Sequence, residues 1–96
     1  MKMMNSLILK RMLKIVIAKK ALKELKKISQ EDQKIIKEKV LFLKNGFNNL
    51  DVKRICNERK VFRLRVRNFR VIFNFLDHEK TIKIKHVRRR NEKTYR

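Results

Sequence analysis

The sequence has almost none of the residues that shape tight loops and covalent cross-links. It contains no proline, a single glycine (Gly46) and a single cysteine (Cys56) among 96 residues. This scarcity excludes collagen-like, linker-rich and low-complexity chains, and leaves no glycine-rich loop that could hold a nucleotide phosphate. One cysteine excludes an intramolecular disulfide and a cysteine-based zinc cluster, and is typical of a protein of the reducing cytosol.

Long apolar segments are also missing. The longest uncharged apolar runs have four residues, as at residues 15–18, and this is far too short to cross a bilayer. The apolar stretch near the start of the chain ends at Lys10-Arg11, without the length or the cleavage site of a secretory signal. We therefore expect a cytoplasmic protein with no membrane partner.

Acidic residues are few compared with basic ones. The chain has 29 lysine and arginine residues against 9 aspartate and glutamate residues, which gives a formal net charge of +20. A field of this sign favours a polyanionic partner such as a nucleic acid or the ribosome. Because 43% of the residues are apolar, the chain is not a disordered basic tail, and its length suits one domain with a small core.

The first residues differ in composition from the rest of the chain. We predict that residues 1–11 are a basic N-terminal extension, either disordered or added by an upstream start codon, since Met12 can itself start the protein. An extra strand, or a basic arm that contacts RNA, is the alternative. Residues 12–96 are predicted to form the folded domain.

A short strand followed by two helices is predicted next. Residues 13–18 are mostly apolar and β-branched, as in a strand. The apolar residues that follow recur at intervals of three and four, which indicates an amphipathic helix; they are Ala21, Leu22, Leu25 and Ile28. Ser29, with Asp32 three residues later, opens a second helix that Gly46 ends in a left-handed conformation. The apolar stripe of this helix comprises Ile36, Val40, Leu43 and Phe47.

From Asp51 onward apolar and polar residues alternate, which predicts strands. Arg67-Asn68 is placed to form a two-residue hairpin turn, because Asn68 tolerates a positive φ. Residues 77–80 form the next turn, before a last strand. The predicted fold is α+β: a short N-terminal strand, an antiparallel αα-hairpin and an antiparallel meander of three or four strands, with the helices on one face of the sheet.

The hairpin register predicts one apolar and one cationic face. The apolar face comprises Phe62, Leu64, Val66, Phe69, Val71, Phe73 and Phe75. The other face carries Arg63, Arg65, Arg67 and Arg70, with Arg65 opposite Arg70. Like charges opposed across strands destabilise a sheet by roughly 0.2–1 kcal/mol per pair. The pattern therefore favours a bound anion, and guanidinium groups suit phosphate oxygens; the alternative is a solvated charged face.

The C-terminal tail is basic and holds the only tyrosine. Arg88, Arg89 and Arg90 precede Tyr95, and an aromatic ring beside guanidinium groups suits an unpaired base with its phosphates. A generic basic tail, with Tyr95 packed on the sheet, is the alternative.

The two histidines give no sign of a metal or acid–base site. We expect His86 to share a strand face with Ile82 and Ile84, as a buried or partly buried structural residue, and His78 to lie in an exposed turn. Two separated histidines and one cysteine do not make a metal site, and we expect neither a metal nor a cofactor.

Three stretches resemble the RelE/ParE superfamily of toxins from toxin–antitoxin pairs. Residues 14–25 resemble its strand and "A-x-K-x-L-x-x-L" helix, residues 62–73 resemble its "Y-R-L-R-V-G-D-Y-R-V-I-Y" hairpin, and residues 87–95 resemble its closing strand, basic cluster and tyrosine. The hairpin is the most specific of the three. The resemblance spans residues 12–96 and implies a RelE-like fold.

For the RelE branch, the resemblance implies a ribosome-dependent mRNA endonuclease, or mRNA interferase, that halts translation. In that branch the RNA 2′-hydroxyl attacks its own phosphate within a group of basic residues, and a tyrosine stacks on a base. The implied catalytic residues are Arg63, Arg65, Arg70, Arg90 (or Arg89) and Tyr95. Further RNA-binding residues are predicted at Arg67, Lys83, Lys85, Arg88 and Arg89.

The sequence departs from the family pattern at the turn and on the strands. Arg67 replaces the turn glycine, and arginines replace strand lysines. Guanidinium groups stay protonated and accept no proton, so electrostatic stabilisation should carry more of the catalysis. The ParE branch, which poisons DNA gyrase with the same fold, is therefore the main alternative, and a non-toxic basic RNA-binding module is the third.

Partners follow from both the charge and the resemblance. A strongly cationic toxin requires neutralisation, so we expect an acidic antitoxin with an amphipathic helix that binds by charge complementarity. The RelE branch adds mRNA on the ribosome as a second partner.

Overall fold

The chain folds as a strand, two helices and four further strands. The computed structural model describes residues 13–47, 50–56, 60–76 and 78–89. The elements are β1 (Lys14–Ile17), α1 (Lys19–Lys26), α2 (Gln30–Phe42), β2 (Val52–Cys56), β3 (Val61–Val66), β4 (Phe69–Leu76) and β5 (Thr81–Arg89). The predicted extension at residues 1–11 lies outside the described residues, so the division into extension and domain stays a prediction. No helix in the described part is long and apolar enough to cross a membrane.

The strands form one mixed sheet in the order β1-β5-β4-β3-β2. Strands β2 to β5 are the predicted antiparallel meander. Strand β1 lies parallel to β5, with Ile17 opposite Ile84. The predicted N-terminal strand and four-stranded antiparallel meander are therefore confirmed, whereas the pairing of β1 with β5 was not predicted. A parallel pair joins segments that are distant in sequence, and the apolar period within each segment does not show the pairing.

The two helices cover one face of this sheet. Helix α1 buries Ala21 and Leu25, and helix α2 buries Ile36 and Val40. The predicted start of α2 is confirmed, because the Ser29 hydroxyl accepts a hydrogen bond of 3.2 Å from the backbone N–H of Asp32. These apolar side chains form a single core with the covered face of the sheet.

Helix α2 ends earlier than predicted. It stops at Phe42 and continues as a 3₁₀ turn at Leu43–Asn45. Gly46 then has φ 101° and ψ −178°, a conformation essentially restricted to glycine but different from the left-handed helical one predicted. Phe47 consequently lies beyond the helix, and its ring centroid is 5.6 Å from those of Phe62 and Phe73.

The β3–β4 hairpin has the predicted register. Val66 pairs with Phe69, and Arg65 pairs with Arg70. The fully buried members of the predicted apolar face are Leu64, Val66, Phe69, Val71 and Phe73, whereas Phe62 and Phe75 are partly buried beside them. The turn lies at the predicted residues, but the positive φ, 53°, falls on Arg67 and not on Asn68.

Replacing Phe73 by alanine should strongly destabilise the fold. Phe73 is fully buried on the central strand β4, and its ring stacks 5.4 Å from that of Phe62. We expect the free energy of unfolding to fall by about 3–5 kcal/mol, measured by urea denaturation. The control Phe42→Ala removes a ring that is 52% exposed and should change it by under about 0.5 kcal/mol. Equal losses in the two variants would contradict this account of the core.

Candidate functional site

The uncovered face of the sheet carries a row of three arginines. Arg65 on β3 lies opposite Arg70 on β4, and Arg70 lies opposite Arg88 on β5. Residues directly opposite each other in antiparallel strands point to the same face. Three guanidinium groups on adjacent strands therefore share one small area of surface.

A second row lies beside the first. It runs from Arg63 on β3 through Ile72 on β4 to His86 on β5. Ile72 is buried although it lies on the uncovered face, and Arg63 is only 8% exposed. The long side chains around Ile72 thus shield it from solvent, and this part of the uncovered face is not freely solvated.

Asp51 faces the two arginines of β3. Its carboxylate oxygens lie 3.7 Å from Nη1 of Arg63 and 3.8 Å from Nε of Arg65. Both nitrogens are buried and have no acceptor within hydrogen-bond distance. Buried N–H groups without an acceptor cost about 1–3 kcal/mol each, more when charged. An anion that accepts from both would remove this cost.

A β-bulge brings His86 to the same face. The register shifts between Ile72, which pairs with His86, and Phe73, which pairs with Ile84. Lys85 is therefore the extra residue, and the side chains after it change faces. The prediction that His86 shares a face with Ile84 was wrong for this reason, although its partly buried position is confirmed.

Glu24 of α1 accepts hydrogen bonds from residues at the edge of β5, beside His86. Strand β1 ends at Ile17, opposite Ile84, and in the described part of the chain no strand pairs with the following part of β5 on that side. The Val87 N–H donates to Oε1 of Glu24 at 3.0 Å. Oε2 of Glu24 accepts a hydrogen bond from Nε of Arg88, and Oε1 lies 3.7 Å from Nδ1 of His86.

The protonation of His86 depends on this neighbourhood. Burial lowers the pKa of His86 below its ordinary 6.5; Glu24 opposes this shift, whereas Lys20 and Arg88 add to it. The ring is therefore neutral at pH 7 and able to accept a proton.

The other predicted RNA-binding residues lie around or away from the two rows. Lys83 is opposite Asn74 and shares their face, and Lys85 is the bulge residue. Arg67 points to the start of α2, where its Nη1 is 3.3 Å from Oδ1 of Asp32. Arg89 lies on the helix side, with its guanidinium carbon 5.3 Å from the ring centroid of Phe69.

Two of the predicted site residues lie near the C-terminus. Arg90 and Tyr95 lie outside the described residues, and their predicted roles stay predictions. No group of three histidine, cysteine, aspartate or glutamate side chains that could hold a metal occurs within residues 13–89 as far as they are described.

Sequence reasoning missed Glu24, Asp51 and the position of His86. Glu24 stands among lysines on the polar face of α1 and has the ordinary pattern of a solvated charge. The bulge at Lys85 interrupts an otherwise regular alternation, and neither proline nor glycine marks it. The position of His86 depends on the pairing of β4 with β5, and the roles of Glu24 and Asp51 depend on contacts with strands distant in sequence.

Comparison with known protein families decides the class of this protein. The family model of ParE toxins of type II toxin–antitoxin systems, parDE, matches residues 15–94. The chain belongs to this family. The protein is therefore a toxin of a toxin–antitoxin system, within the RelE/ParE superfamily that its hairpin resembles.

Solved structures of related toxins share its fold. A chain of the archaeal RelE–RelB complex from Pyrococcus horikoshii is 21% identical with a TM-score of 0.72, over 83% of this chain and 97% of that one. A chain of the RelB–RelE complex from Methanococcus jannaschii is 27% identical with a TM-score of 0.66, over 78% and 89%. The isolated E. coli RelE toxin is 15% identical with a TM-score of 0.70, over 85% and 88%. A search of curated proteins gave no match.

The free energy of unfolding of the toxin should decrease as the pH falls below 7, in part because of His86. Because the folded pKa is lowered, the unfolded chain takes up the proton first as the pH falls, and protonation below about 6.5 favours unfolding. We expect His86→Gln to lose less unfolding free energy than the wild type between pH 7 and about pH 5.5, as measured by urea titration. The control His78→Gln, in an exposed turn, should behave as the wild type does. Equal pH dependence in all three proteins would contradict the assignment.

Proposed function

We propose that this toxin is a ribosome-dependent mRNA endonuclease. The observation that carries the proposal is the row of Arg65, Arg70 and Arg88 on adjacent strands, with Arg63 beside it. Each opposed like-charge pair costs roughly 0.2–1 kcal/mol. A phosphate group would offset this repulsion and accept hydrogen bonds from the buried nitrogens of Arg63 and Arg65. RNA supplies such a phosphate together with the 2′-hydroxyl that can attack it.

The arrangement suggests a role for each basic side chain. Arg65 and Arg70, opposite each other, bind the scissile phosphate and the charge that develops on it. Arg63, one step along the same face, orients the nucleophile, and its burial limits its motion. Arg90 is proposed for the leaving oxygen, since Arg89 lies on the helix side of the sheet, and Tyr95 is proposed for stacking on a base, worth roughly 1–3 kcal/mol.

The chemistry is a transesterification. The 2′-oxygen bonds to phosphorus while the bond to the 5′-oxygen breaks, which leaves a 2′,3′-cyclic phosphate and a 5′-hydroxyl. Charge accumulates on the non-bridging oxygens in the transition state, and fixed guanidinium groups stabilise it without reorganising. Arginines are therefore suited to the electrostatic part of this reaction.

Inhibition of DNA gyrase is the second candidate function. It is favoured by the match to the ParE family model. A toxin of that kind needs the fold but not an anion site on the uncovered face. The two functions thus differ in their dependence on the arginine row.

An acidic antitoxin is the proposed protein partner. The archaeal relatives were solved as RelE–RelB complexes, and a net charge of +20 favours an acidic binder. A groove of about 310 Å³ lies between β1, α1, α2 and β5, with an apolar lining that includes Ile17 and Leu41 and with Lys37 and Lys44 in its wall. This combination suits an amphipathic helix with acidic flanks.

Removal of the central arginines should abolish RNA cleavage. Because one transition-state donor is commonly worth a hundredfold or more in rate, we expect Arg70→Ala to lower cleavage of ribosome-bound mRNA by at least about a hundredfold, and Arg65→Ala/Arg70→Ala further. Products with 5′-hydroxyl ends are the expected signature, detected by primer extension and end labelling. The double variant Lys23→Ala/Lys26→Ala, which removes the same charge from α1, should cleave normally.

The same variants separate the two candidate functions in cells. Arrest of amino-acid incorporation by the wild type, lost in Arg65→Ala/Arg70→Ala, supports the nuclease. Arrest of thymidine incorporation by both proteins, with mRNA intact, would refute the nuclease and favour the gyrase-directed toxin. Normal growth with the wild type would leave only the non-toxic RNA-binding module.

A charge placed in the groove should weaken antitoxin binding. Leu41 is 56% exposed on α2 and lines the groove, so Leu41→Asp leaves the core intact but repels an acidic helix. We expect the Kd for the antitoxin encoded beside the toxin to rise at least tenfold, about 1.4 kcal/mol, measured by calorimetry. Leu22→Asp, at a site 39% exposed and outside the groove, is the control. Equal weakening by both variants, or by neither, would place the antitoxin elsewhere.

A further inference from the structure

The arginines of the uncovered face cannot remove a proton from the attacking hydroxyl. A guanidinium group stays protonated at any physiological pH, and it has no lone pair to offer. Transesterification by a 2′-hydroxyl nevertheless requires that this proton leave as the new bond forms. A described side chain beside the arginine row that carries a free lone pair is therefore a candidate for this acceptor.

His86 occupies the position where an acceptor is needed. It lies opposite Ile72 and diagonal to Arg70, on the face that carries Arg65 and Arg88. The bulge at Lys85 is what places it there. The side chain is 29% exposed, enough to meet a substrate while most of the ring is fixed by its neighbours.

We propose that His86 is the general base of the RNA cleavage and that Glu24 is the residue that positions it. The proposal rests on the nuclease function proposed above and adds the proton acceptor that the arginines cannot supply. His86 contacts the reacting hydroxyl and is a catalytic residue in this scheme. Glu24 does not contact the reacting hydroxyl and acts on this step through His86.

The contact between Glu24 and His86 determines which ring nitrogen is free. Nδ1 of His86 lies 3.7 Å from Oε1 of Glu24 and has no hydrogen-bond partner. Because a carboxylate only accepts, we assign the proton to Nδ1, and Nε2 then carries the lone pair. A distance slightly beyond a hydrogen bond is common before substrate binds and shortens in the reacting complex. Glu24 itself is held by the Val87 N–H and by Arg88.

Burial is the main reason that His86 is neutral at pH 7, and charges on the neighbouring elements modify its effect. Glu24 and Lys20 face it from α1, Arg88 is two residues along β5, and Ile72 and Arg70 are its neighbours on β4. Burial, Lys20 and Arg88 lower its pKa, and Glu24 alone acts in the opposite direction. The base is thus ready to accept a proton, and Glu24 stabilises the imidazolium once it forms.

The proposed step balances in atoms and charge. Nε2 of His86 takes the proton of the 2′-hydroxyl as the 2′-oxygen bonds to phosphorus. The bond between phosphorus and the 5′-oxygen breaks with its electron pair on that oxygen, which takes one proton from solvent. The imidazolium then releases its proton to solvent, and the site returns to its starting state.

Asp51 is the other described acceptor on this face. Its oxygens lie at 3.7 and 3.8 Å from nitrogens of Arg63 and Arg65. It stands on the β2 side of the sheet, whereas His86 is on β5. We therefore assign to Asp51 the role of orienting Arg63 and Arg65. The variant Asp51→Asn tests it as the alternative base.

The experiment is the pH–rate profile of single-turnover cleavage of mRNA on bacterial ribosomes. The wild-type cleavage rate should fall at acidic pH, with the slope expected when a single group is protonated. His86→Gln should lose that acid limb and at least about a hundredfold in rate at pH 7. Glu24→Gln, which keeps an oxygen for the Val87 N–H, should move the limb to lower pH because the charge that raises the pKa of His86 is gone. His78→Gln is the matched control, and its profile should be that of the wild type.

Chemical rescue provides an independent readout. Added imidazole should restore cleavage by His86→Ala in a concentration-dependent way, and it should not restore Arg70→Ala. A wild-type rate and profile in His86→Gln would overturn the proposal while the nuclease function stands. The same holds if Asp51→Asn, and not His86→Gln, removes the acid limb. A wild type that cleaves no RNA at any pH would overturn the nuclease function, and this proposal with it.

Discussion

Two helices can cover only one face of a sheet, and most of this molecule follows from that constraint. Every second side chain of β3, β4 and β5 must be apolar to pack against α1 and α2, and these side chains form the single core. The intervening residues point away from the helices and do not pack against them. In this chain four of them are arginines, Arg63, Arg65, Arg70 and Arg88, so that the geometry that builds the core also gathers positive charge on the opposite side.

The edge of the sheet has an equally specific consequence. Strand β1 is short, and among the described residues no strand pairs with the second half of β5 on the side opposite β4. Glu24 of α1 takes the place of that neighbour by accepting from the Val87 N–H, and it contacts Arg88 and His86 from the same position. One helical side chain thus satisfies an open strand edge and links the helical layer to the arginine face.

The hairpin shows how far sequence reasoning extends. The alternation of residues 62–75 and the turn at Arg67-Asn68 were sufficient to predict the register, the apolar face and the opposition of Arg65 and Arg70, all of which are confirmed. A strand has a period of two, so the turn fixes every pair that follows it. The same reasoning failed at His86, because a single extra residue at Lys85 reverses the faces of all residues after it.

The amino-acid sequence by itself determined the order of strands and helices, the cap of α2 at Ser29, the apolar core and the cationic character of the uncovered face. These features depend on local period and on residue type, which a sequence contains in full. Only the tertiary structure decided the parallel pairing of β1 with β5, the burial of Arg63 and the meeting of Glu24 with His86. These features depend on contacts between residues distant along the chain, and neither period nor composition specifies such contacts.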